Sequence, residues 1–275
     1  MAAENQSEVQ KYFEATRDAY TRWGGETRAI HFGFHSNPSH PSNHFDSLTF
    51  MNDRLIRMLG VGDGTSILDA GCGYGSTLVR AAQTVGARGV GITICADQVQ
   101  QAQEFVQSVG LGDKVAVLLE DFTETHFADG IFDGVVMCES LAHAPNKSVV
   151  LAEMSRVLKP GGKLVIADYF LLPHFGDGDS QSLKEFQDGW ACYVIPLVSF
   201  ASDVFTHGLI VSMFENVTTH VLPSLEVAAA SARDHNGDNS ASEERIRHRL
   251  ATCRIAEMMA QGKMGYFITV LKKTL

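Results

Sequence analysis

The chain has 275 residues, 45% of them hydrophobic and 20% charged, with a formal net charge of −10. That length holds one large domain, or one domain with a sizeable insert. An acidic balance with no long lysine or arginine run argues against nucleic acid or an anionic membrane surface as the main partner, and no window approaches eighteen continuous apolar residues.

The five cysteines are far apart and lack metal-ligand spacing, which suits reduced thiols in a cytoplasmic protein without a metal site. The polar start, MAAENQSE, has no signal-peptide core. Val9, Tyr12, Phe13, Thr16 and Tyr20 recur at intervals of three and four, as on one face of a helix. An aromatic and histidine-rich tract follows: Trp23-Gly24-Gly25, then Ile30 to His35. Ser36 to Ser42 is loop chemistry, and a second helix is expected over Phe45 to Leu59, stopped by Gly60. Packing of a helical cap accounts for most of these aromatics.

The apolar run Ile67-Leu68 ends in Asp69, and Gly71-Cys72-Gly73-Tyr74-Gly75 leads into a helix over Ser76 to Val85. This is a strand–loop–helix unit spaced Gly-x-Gly-x-Gly, not the Gly-x-Gly-x-x-Gly of dinucleotide sites. Further strands are expected over Gly89 to Thr93, Lys114 to Leu119, Phe132 to Met137 and Lys163 to Tyr169. Helices are expected over Ala96 to Val109 and Ser148 to Leu158. Such alternation makes a parallel, doubly wound sheet, which binds ligands at the carboxyl ends of its strands. Polar segments fall at four successive strand ends: Asp69 to Gly75, Thr93 to Cys95, Asp121-Phe122, and Glu139 to His143.

From Leu171 to about Leu222 the pattern becomes an aromatic-rich insert, helical at first. Ser231 to Ser242 reads as a mobile loop, Glu243 to Gln261 as a charged amphipathic helix, and Tyr266 to Leu271 as a final antiparallel strand.

Each strand-end group has two readings. Asp69 can cap the following helix or bind a cationic ligand group. Three glycines exceed what a tight turn needs and point to close approach of a ligand. Thr93, with Gln98 nearby, stands where a dinucleotide fold places an acid for ribose, which counts against a nicotinamide oxidoreductase. Asp121 can accept from an adenine amine beside Phe122, or serve as a loop carboxylate. Glu139 can be a general base or cation stabiliser, or fix its own turn. His143 can orient Glu139, shuttle a proton or be structural.

The stretches ILDAGCGYG (67–75), GITI (91–94) with Gln98, Glu120-Asp121-Phe122, FADGIFD (127–133), ESLAHAP (139–145) and VLKPGG (157–162) resemble class I S-adenosylmethionine-dependent methyltransferases. Most of the chain is similar to a small-molecule group containing gamma-tocopherol methyltransferases, sugar O-methyltransferases of indolocarbazole antibiotics and geranyl diphosphate C-methyltransferases. Ile30 to Phe34 and Gly265 to Phe267 carry that part of the likeness. The resemblance implies an α/β fold: a Rossmann-like, doubly wound, mainly parallel seven-stranded sheet. It also implies a helical cap (1–60), a cofactor-binding core (61–170), an acceptor-binding insert after the fifth strand (171–242), and a C-terminal helix and strand completing the core (243–275).

The implied cofactor is S-adenosylmethionine, leaving as S-adenosylhomocysteine. The turn at Gly71, Gly73 and Gly75 would hold its methionine part and let ribose pack closely, Thr93, Ile94 and Gln98 would meet the ribose and one adenine face, and Asp121 and Phe122 the adenine edge, with Asp69 and Cys72 also among the cofactor contacts. Glu139 would lie near the sulfonium, with Tyr12 and His31 covering the methyl. The candidate catalytic groups are Glu139, His31, His143 and Tyr12. The candidate acceptor contacts are Tyr12, Trp23, Phe170, Trp190, Tyr193 and Phe200. A lid of Tyr12, Trp23, Phe32 and Phe34 is expected to exclude water. The expected reaction is carbon or nitrogen methylation of a small apolar or aromatic natural product of terpenoid, indole or polyketide type. Methylation of a phenol or sugar hydroxyl, a non-catalytic cofactor-binding protein and an NAD-dependent oxidoreductase are the alternatives, and a homo-oligomer is left open.

Overall fold

No proline or internal glycine interrupts the sequence before Gly24, and the first helix, α1, runs over Ala2–Gly24. The computed structural model describes residues 2–234 and 241–274. Asn43 caps α2 (His44–Leu59) by accepting from the Asp46 N–H, and Gly60 ends it in the left-handed conformation. Next come β1 (Ser66–Ala70), α3 (Ser76–Val85), β2 (Arg88–Thr93), α4 (Ala96–Ser108), β3 (Val115–Leu119), β4 (Phe132–Cys138), α5 (Lys147–Val157) and β5 (Leu158–Leu171). β5 starts earlier than its sequence suggests because Leu158 pairs with Phe132 before a register shift restores pairing at Gly134 and Lys163.

The chain continues through α6 (Ser180–Trp190), α7 (Leu197–Phe205), β6 (Leu209–Asn216), α8 (Thr218–Asp234), α9 (Glu243–Ala260) and β7 (Met264–Lys273). Seven strands are ordered β3-β2-β1-β4-β5-β7-β6, parallel from β3 to β5 and antiparallel at β7 and β6. Residues 171–222, read as an insert, therefore contribute the edge strand β6. Its exposed Ile210 and Phe214 blur the alternation that would have marked it. Residues 231–234 close α8, and 235–240, part of the expected loop, lie outside the described residues.

Two cores flank the sheet. On one face Val136, Val165, Ala167, Tyr169 and Ile268 pack with Leu55, Phe186, Leu225 and Ile255. On the other Leu68, Val135, Met137, Ile166 and Phe170 pack with Leu151, Met154 and Phe200. Neighbouring strand residues point to opposite faces, so Tyr169 and Phe170 belong to different cores. Strand order reverses at β1, whose Asp69 is level with Gly91 of β2 and Val136 of β4. The crevice at such a reversal is where open α/β sheets take their ligands. No helix among the described residues is long and apolar enough to cross a membrane.

Candidate active site

A cavity of about 390 Å³ opens at the carboxyl ends of β1, β2 and β4, with Gln6, Val9, Phe13 and Tyr20 of α1 lying across it. That size suits a small ligand. Gly71 and Gly73 form its floor at φ +88° and +52°, where a side chain is strained. An added Cβ would stand 2.4 Å from the Ser140 Cβ at Gly71, and 2.7 Å from Ile30 Cδ1 at Gly73. Gly75 departs from expectation: it opens α3 and faces Ala102 and Val117, so it shapes the turn without lining the cavity.

Asp69 lines the cavity, is 2% exposed, and its carboxylate makes no hydrogen bond or ion pair among the described residues. Burial alone raises its carboxyl to about 7. Cys72, Thr93, Ile94, Gln98, Asp121 and Phe122 share the wall with it. The Thr93 hydroxyl donates to Gln98 Oε1 at 2.6 Å and accepts from the Cys95 N–H, leaving the Gln98 amide nitrogen as a donor there. Asp121 accepts from the Thr123 N–H at 2.8 Å and from the Gln6 side chain, so it holds its loop and α1 as well as the wall.

Glu139 stands just past β4 at φ 53°. Its Oε1 accepts from the Phe32 N–H at 2.7 Å and the Tyr266 hydroxyl at 2.9 Å. Burial outweighs these two donors and raises its carboxyl to about 8. Its partners are thus Phe32 and Tyr266, not His143. His143 lines the cavity but places Nδ1 3.0 Å from the Ala191 carbonyl, and burial lowers it to about 4, which keeps it neutral. His31 also lines the cavity, yet both of its nitrogens are engaged, by the Phe32 carbonyl and by Asn52, each at 2.9 Å. It is a fixed wall rather than a proton acceptor.

Several expected contacts lie elsewhere. Tyr12 sits one layer behind the wall, its hydroxyl 2.5 Å from that of Tyr20 and 3.0 Å from His248 Nδ1. Trp23 donates to the His31 carbonyl and packs on His44, propping the tract from outside. Phe32 and Phe34 are core residues, so the expected aromatic lid is replaced by the α1 side chains. Phe170 and Phe200 pack against each other in the second core, and neither lines the cavity. Tyr193 is tied to the Ala142 carbonyl through its N–H and does not reach the wall. Trp190 alone of the insert aromatics reaches the cavity, backed by Phe32 at 5.8 Å.

The segment after Glu139 is clamped from below. Lys147 Nζ donates to the carbonyls of Leu141, Ala142 and Ala144 at 2.6–3.0 Å, and Asp168 accepts from the Ala142 N–H. Among the described residues, three non-glycines have left-handed backbone: Arg28, Glu139 and Ala191. The first two line the cavity and the third holds His143. Strain of this kind collects where function requires it. Arg28 and Tyr20 were not legible as wall residues, since neither belongs to a strand end.

The sequence matches the family described as Methyltransferase domain over residues 68–166. It is 27% identical over 97% of both chains to 27-O-demethylrifamycin SV methyltransferase of Amycolatopsis mediterranei. It is 32% identical to 24-methylenesterol C-methyltransferase 2 of Arabidopsis thaliana over 65% of this chain, which spans about half (48%) of the plant protein. Its fold matches geranyl diphosphate C-methyltransferase from Streptomyces coelicolor, solved with Mg2+, geranyl diphosphate and S-adenosyl-L-homocysteine. That match has a TM-score of 0.78 and 18% identity over 98% of both chains.

Proposed function

From the premise that the chain is a class I S-adenosylmethionine-dependent methyltransferase, we propose that it methylates a carbon or nitrogen of a small, largely apolar or aromatic natural product. When bound, S-adenosylmethionine supplies an electrophilic methyl on a sulfonium sulfur. The wall residues fit that cofactor. A buried carboxylate without a partner, Asp69, suits a cationic ligand group, since burying it unpaired is costly. Gln98 and Thr93 would meet the ribose, and Asp121 and Phe122 the adenine edge.

The observation that carries the reading is Glu139, a buried carboxylate held by two donors on the cavity wall that Trp190 also lines. There it would take the proton released at the methylated centre, or stabilise a cation formed on an alkene or ring carbon. A general base of this sort contributes roughly 100- to 10,000-fold. Holding the acceptor in line between Trp190 and Glu139 would lower the barrier by up to about 7–11 kcal/mol. The test is mass-spectrometric detection of methyl transfer across a panel of terpenoid, indole and polyketide acceptors. No turnover of any apolar acceptor, with turnover of polar ones, would refute it.

A second reading, methylation of a hydroxyl, is favoured by the row Tyr20–Tyr12–His248. Its cavity end, Tyr20, would pair with an acceptor hydroxyl, and the Amycolatopsis relative's name supports that chemistry. The five free cysteines support a cytoplasmic setting.

A further inference from the structure

We propose that Tyr20, Tyr12 and His248 form a one-way proton exit, in which Tyr20 takes the proton of an acceptor hydroxyl as its oxygen is methylated and His248 hands a proton to water. The inference rests on the hydroxyl reading above. The row starts at Tyr20 on the cavity wall and passes through the buried Tyr12, two turns earlier on α1. The two phenol oxygens are 2.5 Å apart, and Tyr12 Oη is 3.0 Å from His248 Nδ1. His248 is partly exposed, one turn from the exposed Glu244 on α9. Among the described residues, the hydrogen bonds of Glu139 and His31 end instead in buried partners. Glu139 meets the Phe32 N–H and the fully buried Tyr266, and His31 meets the Phe32 carbonyl and Asn52.

The imidazole sets the direction. Burial, helped by the Arg249 charge on the same helix, lowers His248 to about 4 and keeps it neutral. The rings of Tyr12 and Tyr20 from α1 and of Trp190 from α6 pack on it. A neutral imidazole keeps one bare nitrogen. With Nδ1 bare, Tyr12 donates to it, Tyr20 donates to Tyr12, and the Tyr20 oxygen is left to accept from the cavity. Burial raises both phenols, which disfavours a free phenolate, so the protons shift together. As the acceptor oxygen bonds to the methyl carbon, the methyl–sulfur bond breaks and its electron pair stays on sulfur. The acceptor proton goes to Tyr20, the Tyr20 proton to Tyr12 and the Tyr12 proton to Nδ1. The imidazolium then sheds its Nε2 proton to water. Turning of the two hydroxyls and a change of tautomer at the partly exposed ring restore the row.

The first test needs no turnover. Nitrogen-15 spectra of the ligand-free protein at neutral pH should show His248 as the Nε2–H tautomer, whereas the Nδ1–H tautomer would reverse the row and overturn the exit. The second uses S-adenosylmethionine with 1-naphthol, 5-hydroxyindole and geraniol, each of which offers a hydroxyl beside carbon or nitrogen. Tyr12→Phe and His248→Phe should each lower kcat for ether formation by about 100-fold or more, with S-adenosylhomocysteine affinity kept within about threefold. Rates in mixtures of H2O and D2O should show several protons moving together in the wild type, as a curved dependence on deuterium content, and a straight line in the variants. Ether formation at an unchanged kcat in both variants, or a loss of cofactor affinity that matches the loss of rate, would overturn the exit alone. No methyl ether from any of the three acceptors would instead sink the hydroxyl reading itself. Thermal melting identifies a variant that fails to fold, and the wild-type tautomer then decides.

Discussion

The Phe32 N–H donates to Glu139 Oε1 across 2.7 Å, joining residues 107 positions apart. Through that bond the tract ahead of the sheet sets the direction of the Glu139 carboxylate, the proposed base. The Tyr266 hydroxyl, from the last strand, fixes the same oxygen. Both ends of the chain thus converge on the fourth strand end.

Glu139→Gln keeps the shape and the two donors but removes the proton acceptor. It is expected to lower kcat by about tenfold or more while leaving S-adenosylhomocysteine affinity within about threefold. In the wild type, kcat/KM for the acceptor should climb with pH toward the raised value of about 8 and then level, whereas the variant's profile stays flat there. Steady-state kinetics with calorimetry check both halves.

Stability should also depend on pH, with a sign fixed by the raised carboxyls. Folded Asp69 and Glu139 hold their protons up to about 7 and about 8, above their ordinary values near 4, so the folded state binds more protons between those limits. Their contribution is full at low pH and is lost as pH rises through 7 to 8. His143 and His248, lowered to about 4, act oppositely, but only below about 6.5. Between pH 6.5 and 8 the ligand-free protein should therefore lose melting temperature. Asp69→Asn should flatten that decline and weaken S-adenosylmethionine binding by about tenfold or more. Scanning calorimetry with and without ligand measures it.

Gly73→Val should abolish cofactor binding, because a side chain at φ 52° is strained and must displace Ile30 from the cavity floor. Normal affinity in that variant would mean that the floor lies elsewhere.

Trp190→Ala and Phe200→Leu separate a cavity-lining aromatic from a buried one outside the cavity. The first should raise the acceptor KM by about tenfold, since Trp190 lines the cavity. The second should lower melting temperature through a void of about 1 kcal/mol while leaving kinetics intact, because Phe200 is buried in the second core and does not line the cavity. Acceptor kinetics and thermal melts on the two proteins check both.

The strand ends were legible because each couples an apolar run to a polar residue at a turn, a local signal. Asp69, Thr93, Asp121 and Glu139 all reach the cavity for that reason. The acceptor side was not legible in the same way. Whether an aromatic of the insert faces the cavity depends on which face its helix or strand presents, and Tyr169 against Phe170 shows one residue deciding it. Tyr12 and Tyr20 share one helical stripe, yet only the second reaches the wall, while Tyr12 meets His248 of α9 and Asp18 pairs with Arg245 of the same helix.

α1 is fastened over the cavity by Gln6 to Asp121, Gln10 to the Ile94 carbonyl, and the Arg17–Asp97 pair, all polar and partly wet. Such ties are individually weak. In the proposed site a spent ligand along Asp69, Thr93 and Asp121 would lie beneath this helix. Salt, which loosens these ties, should hasten its departure.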